Sequence, residues 1–149
     1  MLPEPGLSAN AQRAAEPIDP PTPPAIAEWT DLGGGLWTVG SETARQLFFH
    51  DAPPEVARRA VERLRPQAYR VMEEVTRLRA WPTAPADYIV CRDDRALNPA
   101  WGRVAARERL GGNAVEIDGG HSPFLTRPAE LSIILDALAR AGRGRRDGP

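Results

Sequence analysis

Residues able to do acid-base chemistry gather at two points in the carboxyl-terminal half of the chain. Asp93 and Asp94 stand just past the apolar run Tyr88-Ile89-Val90-Cys91, and His121 follows Asp118-Gly119-Gly120. Paired glycines allow a sharp turn that can present an imidazole at a rim. A carboxylate bonded to one ring nitrogen of a histidine fixes its tautomer and stabilises the imidazolium formed when the other nitrogen takes a proton. On these grounds either aspartate can partner His121. Other combinations have plainer readings. Cys91 invites a Cys/His pairing, yet a cysteine at the apolar end of a strand is ordinarily a small buried residue. Ser122 adjoins His121 too closely along the backbone for productive proton transfer, and a turn role fits it better. His50-Asp51 looks like a dyad in miniature, but Asp51 also suits the N-cap of the helix that follows.

The elements that must position these side chains are legible from apolar spacing. Tyr88–Cys91 is a short continuous apolar run, as expected of a parallel strand buried on both faces. Pro99 opens a helix with Trp101, Val104 and Ala105 on one face, and Gly111-Gly112 stops it. Asn113 to Asp118 forms a second strand with Val115 and Ile117 pointing one way. Thr126 is the expected N-cap of a last helix with an apolar stripe at Leu131, Ile134, Leu135 and Leu138. Strand, helix, strand, helix makes a βαβα unit of an α/β fold, and open parallel sheets place their sites past the carboxyl ends of the strands. Two neighbouring parallel strands thus bring a carboxylate and His121 within reach of each other.

Upstream, residues 1–27 hold seven of the sixteen prolines before position 25 and lack apolar periodicity, so they read as an extended connection. Glu28 to Leu32 and Leu36 to Val39 form a hairpin across Gly33-Gly34-Gly35. Ser41 and Glu42 open a short helix through Phe48. A longer one follows, with Pro53 and Pro54 in its first turn and Val56, Ala60, Val61 and Leu64 at helical spacing, and Pro66 ends or kinks it. Residues 67–79 suit a further short helix with Tyr69, Met72 and Val75 on one side. The aromatic residues Trp29, Trp37, Phe48, Phe49, Tyr69 and Trp81 read as the small core of a thin helical region. Trp81 to Pro85 is a rigid connector, and the last nine residues, 141–149, read as a disordered tail.

Composition narrows the function classes. With nineteen basic and twenty acidic residues interleaved, the net charge is -1, which leaves no footprint for nucleic acid or an anionic membrane. Every basic residue is arginine, which excludes a lysine Schiff base and a P-loop lysine. One cysteine permits no internal disulfide and fits a reducing compartment. No Cys/His group has zinc spacing, so neither metal nor cofactor is expected. No apolar run approaches the roughly 18 residues of a membrane span, and the opening has no secretory core, which suits a cytoplasmic protein.

The segments YIVCRDDRALNPAW and LGGNAVEIDGGHSPFLTRPAEL resemble the carboxyl end of α/β-hydrolases, closest to the methylesterase and hydroxynitrile-lyase-like branch. In that family the carboxylate lies in a D-x-x-x-x-P segment after a strand, and the histidine in a G-G-H turn before the last helix. Asp94 matches, five residues before Pro99, where Asp93 stands six before. His121 matches in Gly119-Gly120-His121, and Pro123 and Pro128 fall where such sequences enter their terminal helix. The resemblance covers residues 81–140 as the carboxyl-terminal part of the core. Residues 28–80 resemble the mainly helical cap over the site, and MLPEPG resembles the loop after the preceding core strand.

The resemblance implies a Ser-His-Asp hydrolase of small esters, with Asp94 as acid and His121 as base. The family's G-x-S-x-G nucleophile elbow has no counterpart among Ser8, Ser41, Ser122 and Ser132. The expectation is therefore a chain lacking the nucleophile half, inactive alone and requiring an amino-terminal half to meet its small-molecule substrate. The competing expectation is a non-catalytic remnant that serves as a binding or interaction module. A lone strand pair with one open edge also predicts a molten or self-associated product.

Overall fold

A computed structural model describes residues 2–21, 29–81, 83–112 and 114–146, with 143–146 in backbone only. Glu28, Pro82, Asn113 and the end of the Pro-rich stretch, all named above, lie outside the described residues.

The opening is not wholly extended. Between Pro5 and Pro17 runs a proline-free window rich in alanine, and it forms helix α1, Ala9–Ala15, with the Ser8 hydroxyl accepting from the Ala11 amide at 3.2 Å. Gln12 on this helix is buried, and its side chain donates to the Leu2 carbonyl at 2.8 Å and accepts from the Glu4 amide at 3.0 Å. Beyond α1 the chain does run extended. Pro20 is fully buried and its carbonyl accepts from the Asn98 amide at 2.7 Å, while Pro21 forms an antiparallel bridge with Leu97.

Strands β1 (Trp29–Asp31) and β2 (Leu36–Val39) form the expected hairpin, with Trp29 opposite Val39 and all three turn glycines at positive φ. Residues 67–79 do not make one helix. Gln67–Ala68 pair with β2 as β3, and only Arg70–Glu73 are helical, as α4. The Tyr69 amide bonds to the Gly35 carbonyl at 2.9 Å and its ring lies 4.8 Å from Trp37, so cross-strand pairing overrides helix propensity, and Val75 is exposed. Helices α2 (Ser41–Phe48) and α3 (Pro54–Glu62) bury Ala44 and Leu47 on the first and Ala57 on the second. Asp51 does not cap α3: Pro53 holds the N-cap position, and no side chain caps it.

The carboxyl-terminal part is α/β as expected. Strand β4 (Ile89–Cys91) pairs in parallel with β5 (Val115–Ile117), through helix α5 (Pro99–Leu110). The Asn98 side chain caps α5 at the Ala100 amide, and Gly111 closes it in the left-handed region. Trp101, Ala105, Ala106, Val90 and Ile117 form the buried centre. Helix α5 lies close on β4 because Gly102 has no side chain; a Cβ there would sit 3.0 Å from Val90.

Thr126 is not an N-cap but the last residue of a separate turn, α6 (Pro123–Thr126). Pro128 disfavours helical geometry at the residue before it, and Arg127 accordingly sits at φ -138, ψ 49 before α7 (Pro128–Arg146) begins. The apolar stripe of α7 is only half covered, with Leu135 exposed. The expected tail is helical through Arg146, because two glycines cost about 1 kcal/mol each and do not stop an established helix. Among the described residues no helix is long and apolar enough to cross a membrane.

An ion network fastens the amino-terminal segment to α5. Arg109 donates to Glu4 at 2.8 Å and pairs with Glu16, and both Arg109 and Glu16 side chains are about nine-tenths buried. Burial opposes ionisation of Glu16, but its bonds to Arg109 and Gln12 outweigh that and hold its carboxyl below the usual range. Arg109→Ala leaves that carboxylate unpaired, at a cost of about 3 kcal/mol. Tryptic cleavage after Arg13 in the folded chain is expected to accelerate by about a hundredfold, whereas Arg103→Ala should leave the rate unchanged; equal rates in the two variants would contradict this role. The second edge of β4 pairs with no strand among the described residues. Self-association through it is therefore expected in size-exclusion chromatography, and a concentration-independent monomer would contradict that.

Candidate functional site

The hydrogen-bond ladder between β4 and β5 runs past the strand ends into the two loops that carry the candidate residues. The Arg92 amide donates to the Ile117 carbonyl at 2.9 Å, and the Asp93 amide to the Gly119 carbonyl at 3.0 Å. The Asp93 side chain turns back to accept from the Gly119 amide at 3.3 Å. Beside the ladder, Arg92 bonds to Glu116 and Asp118, and Arg103 on α5 bonds to Glu116 at 2.7 Å. Bonds from Arg103 and Arg92 hold the Glu116 carboxyl down at about 2. The two loops are thus fixed side by side by backbone and by charge.

Asp94, not Asp93, faces His121. Its carboxylate oxygens lie 2.9 and 3.0 Å from His121 Nδ1. Oδ1 also accepts from the amides of Ala96 and Leu97, each at 2.8 Å, which locks the side chain in an Asx turn. The Asp94 side chain is 9% exposed and that of His121 is 32% exposed, so a buried carboxylate backs an accessible imidazole. An ionised carboxylate can only accept, so Nδ1 is the donor and Nε2 is left as the basic nitrogen. The Phe48 ring packs against the imidazole, with centroids 5.3 Å apart.

His50-Asp51 comes to the same place from the opposite side. Asp51 Oδ2 accepts from the Gly120 amide at 2.8 Å, and His50 Nε2 donates to the Asp93 carbonyl at 3.0 Å. The sequence carries no local signal for these contacts, since the partners are 69 and 43 residues away. Both glycines of the turn are required by the approach. Gly119 has φ 94, and a Cβ there would lie 2.6 Å from Arg127 Nε and 2.7 Å from Asp51 Oδ2; one on Gly120 would lie 2.6 Å from His50 Nε2.

His121 lines two hollows. The larger, about 970 Å³, lies between α3 and α6 and is walled by Phe48, Phe49, Leu64, Phe124 and Leu125. The smaller, about 270 Å³, runs along the open edge of β4 past Ile89, Asp94 and Leu97. The aromatic residues thus divide: Trp37 and Tyr69 stack on each other, whereas Phe48 and Phe49 face the larger hollow. Ser122 is buried, and its carbonyl accepts from the Leu125 amide at 2.9 Å, in the turn role expected. Among the described residues no group of three or more His, Cys, Asp or Glu side chains is arranged to hold a metal ion.

A family model described as "Alpha/beta hydrolase family" matches residues 1–132. Comparison with curated proteins finds no match.

Cys91 ends β4 with its thiol buried, and burial, reinforced by the nearby Asp94 and Asp51 charges, pushes it up to about 11. At pH 8 its thiolate fraction is then about a hundredfold below that of an ordinary thiol. Alkylation by iodoacetamide at that pH is expected to be slower by at least that factor in the folded chain than in urea. Similar rates in the two states would show that the thiol is neither buried nor repelled.

Proposed function

The chain belongs to the alpha/beta-hydrolase family, and from that premise we propose that it supplies the acid and base of acyl transfer on a small ester, Asp94 and His121. The observation that carries this reading is the contact between the Asp94 carboxylate and His121 Nδ1 at 2.9 Å, with the Asx turn holding the carboxylate in place. Nε2 would take the proton of an attacking hydroxyl, and the imidazolium so formed would return it to the leaving alkoxide. Asp94 keeps its bond to Nδ1–H and stabilises that imidazolium. The same two transfers, with water in place of the hydroxyl, release the acyl group.

In this reading residues 28–80 act as the cap and residues 81–140 as the carboxyl-terminal part of the core. The resemblance of the chain's carboxyl-terminal motifs to the methylesterase and hydroxynitrile-lyase-like branch supports membership of that branch, and the apolar walls beside His121 suit a small apolar substrate. The nucleophile is not among this chain's serines: Ser122 is buried in its turn, and none of the four has the G-x-S-x-G context. The chain alone is therefore inactive. A second reading, a non-catalytic interaction module, is favoured by the unpaired edge of β4 and by Phe124 and Ile133, which are 63% and 72% exposed.

Two experiments test the reading. The 149-residue chain should neither hydrolyse short aryl esters nor react with a fluorophosphonate, and covalent labelling of Ser8, Ser41, Ser122 or Ser132 would contradict the assignment. Joined to a polypeptide that supplies a G-x-S-x-G elbow, the chain should turn over aryl esters. His121→Ala and Asp94→Asn should each then lower kcat by about 10³- to 10⁴-fold, and Asp93→Asn by much less. Persistent inactivity would favour the interaction module, and a larger loss from Asp93→Asn would overturn the choice of carboxylate.

A further inference from the structure

Asp51 is poorly placed if its purpose is stability alone. One carboxylate oxygen accepts from the Gly120 amide, while the other, Oδ1, is buried with no hydrogen-bond partner among the described residues. An unsatisfied buried carboxylate oxygen is costly, and such exceptions call for a reason. What the arrangement secures is the backbone of the residue directly before His121. The neighbouring His50 secures the other half, since its Nε2 donates to the carbonyl of Asp93, the residue directly before Asp94. Two consecutive side chains on one loop thus hold the two backbone positions from which the paired side chains spring. The glycines at 119 and 120 are the complement of this contact, for a Cβ on either would collide with it.

We propose that His50-Asp51 is a clasp, with Asp51 and His50 acting as positioning residues that set the Asp94–His121 pair from the region packed above it. The inference rests on the acid-base reading of that pair. Asp51 fixes the Gly119–Gly120 peptide and so the course of the turn that leads into His121, and His50 fixes the Asp93–Asp94 peptide. Neither touches a reacting atom. The geometry of the pair thereby depends on the seating of the loop between α2 and α3, which also brings Phe48 against the imidazole. Displacing that loop would release the histidine from its carboxylate without any change in the core strands.

The test is nuclear magnetic resonance on the full chain labelled with ¹⁵N-histidine, which contains only two histidines. At a pH where the imidazole is neutral, wild-type His121 should be the Nδ1–H tautomer with a bonded, downfield Nδ1 proton. Asp51→Ala should lose that proton signal and give mixed tautomers, while retaining the folded spectrum of β4 and β5. Asp51→Asn, which keeps an acceptor for the Gly120 amide, should preserve the signal, and Arg58→Gln on the exposed face of α3 should also preserve it. Folded Asp51→Ala with an unchanged His121 signature overturns the clasp. If Asp51→Ala does not fold, amide exchange of the wild type decides: the Gly120 amide should exchange about tenfold to a hundredfold more slowly than an unbonded turn amide, and an unprotected Gly120 overturns the proposal. Absence of the bonded proton in the wild type would instead sink the acid-base reading itself.

Discussion

The parallel ladder of β4 and β5, extended past Cys91 and Ile117 by two more backbone bonds, is the constraint from which the site follows. Parallel register fixes which residues of the two loops lie level. Because Arg92 and Asp93 continue the pairing with Ile117 and Gly119, the next residues to leave the ladder are Asp94 on one side and the Gly120-His121 turn on the other. The aspartate side chain then has two local amides, at Ala96 and Leu97, and one imidazole within reach. Three donors converge on this one side chain and fix its orientation, which is what an orienting partner for a base requires.

Around that constraint the remaining elements act as braces. Helix α5 covers β4, and its Arg103 reaches Glu116 on β5, so the crossover helix and both strands share one charged cluster. Arg109, at the far end of the same helix, draws Glu4 and Glu16 onto the core. Those acidic residues flank α1, which also touches the middle region through Asn10 and Tyr69. The amino-terminal segment therefore bridges the β4–β5 unit and the hairpin region above it.

Features set by local sequence were legible without coordinates, and features set by distant partners were not. Strands β4 and β5, the helix opened by Pro99 and the hairpin over three glycines each depend on apolar period, proline and glycine within a few residues. Family resemblance separated Asp94 from Asp93, and the geometry places Asp94 on the imidazole. Helix α1 was hidden because the proline content of 27 residues masked an eleven-residue window without any. Strand β3 was hidden because its partner, β2, lies about thirty residues upstream. Asp51 was misread for the same reason: an aspartate before two prolines has a local use as a cap, and the bond it makes instead, to Gly120, crosses 69 residues.

The central claim is that Asp94, and not Asp93, is the carboxylate that bonds and polarises His121, and the His121 ring nitrogens report on it directly. Long-range ¹H–¹⁵N spectra of wild type, Asp94→Asn and Asp93→Asn should show the Nδ1–H tautomer in the wild type and in Asp93→Asn. In Asp94→Asn the proton should move to Nε2 or be shared between tautomers, because an amide nitrogen can stand where a carboxylate oxygen accepted. A His121 spectrum that is unchanged by Asp94→Asn, or that responds to Asp93→Asn instead, would contradict the account.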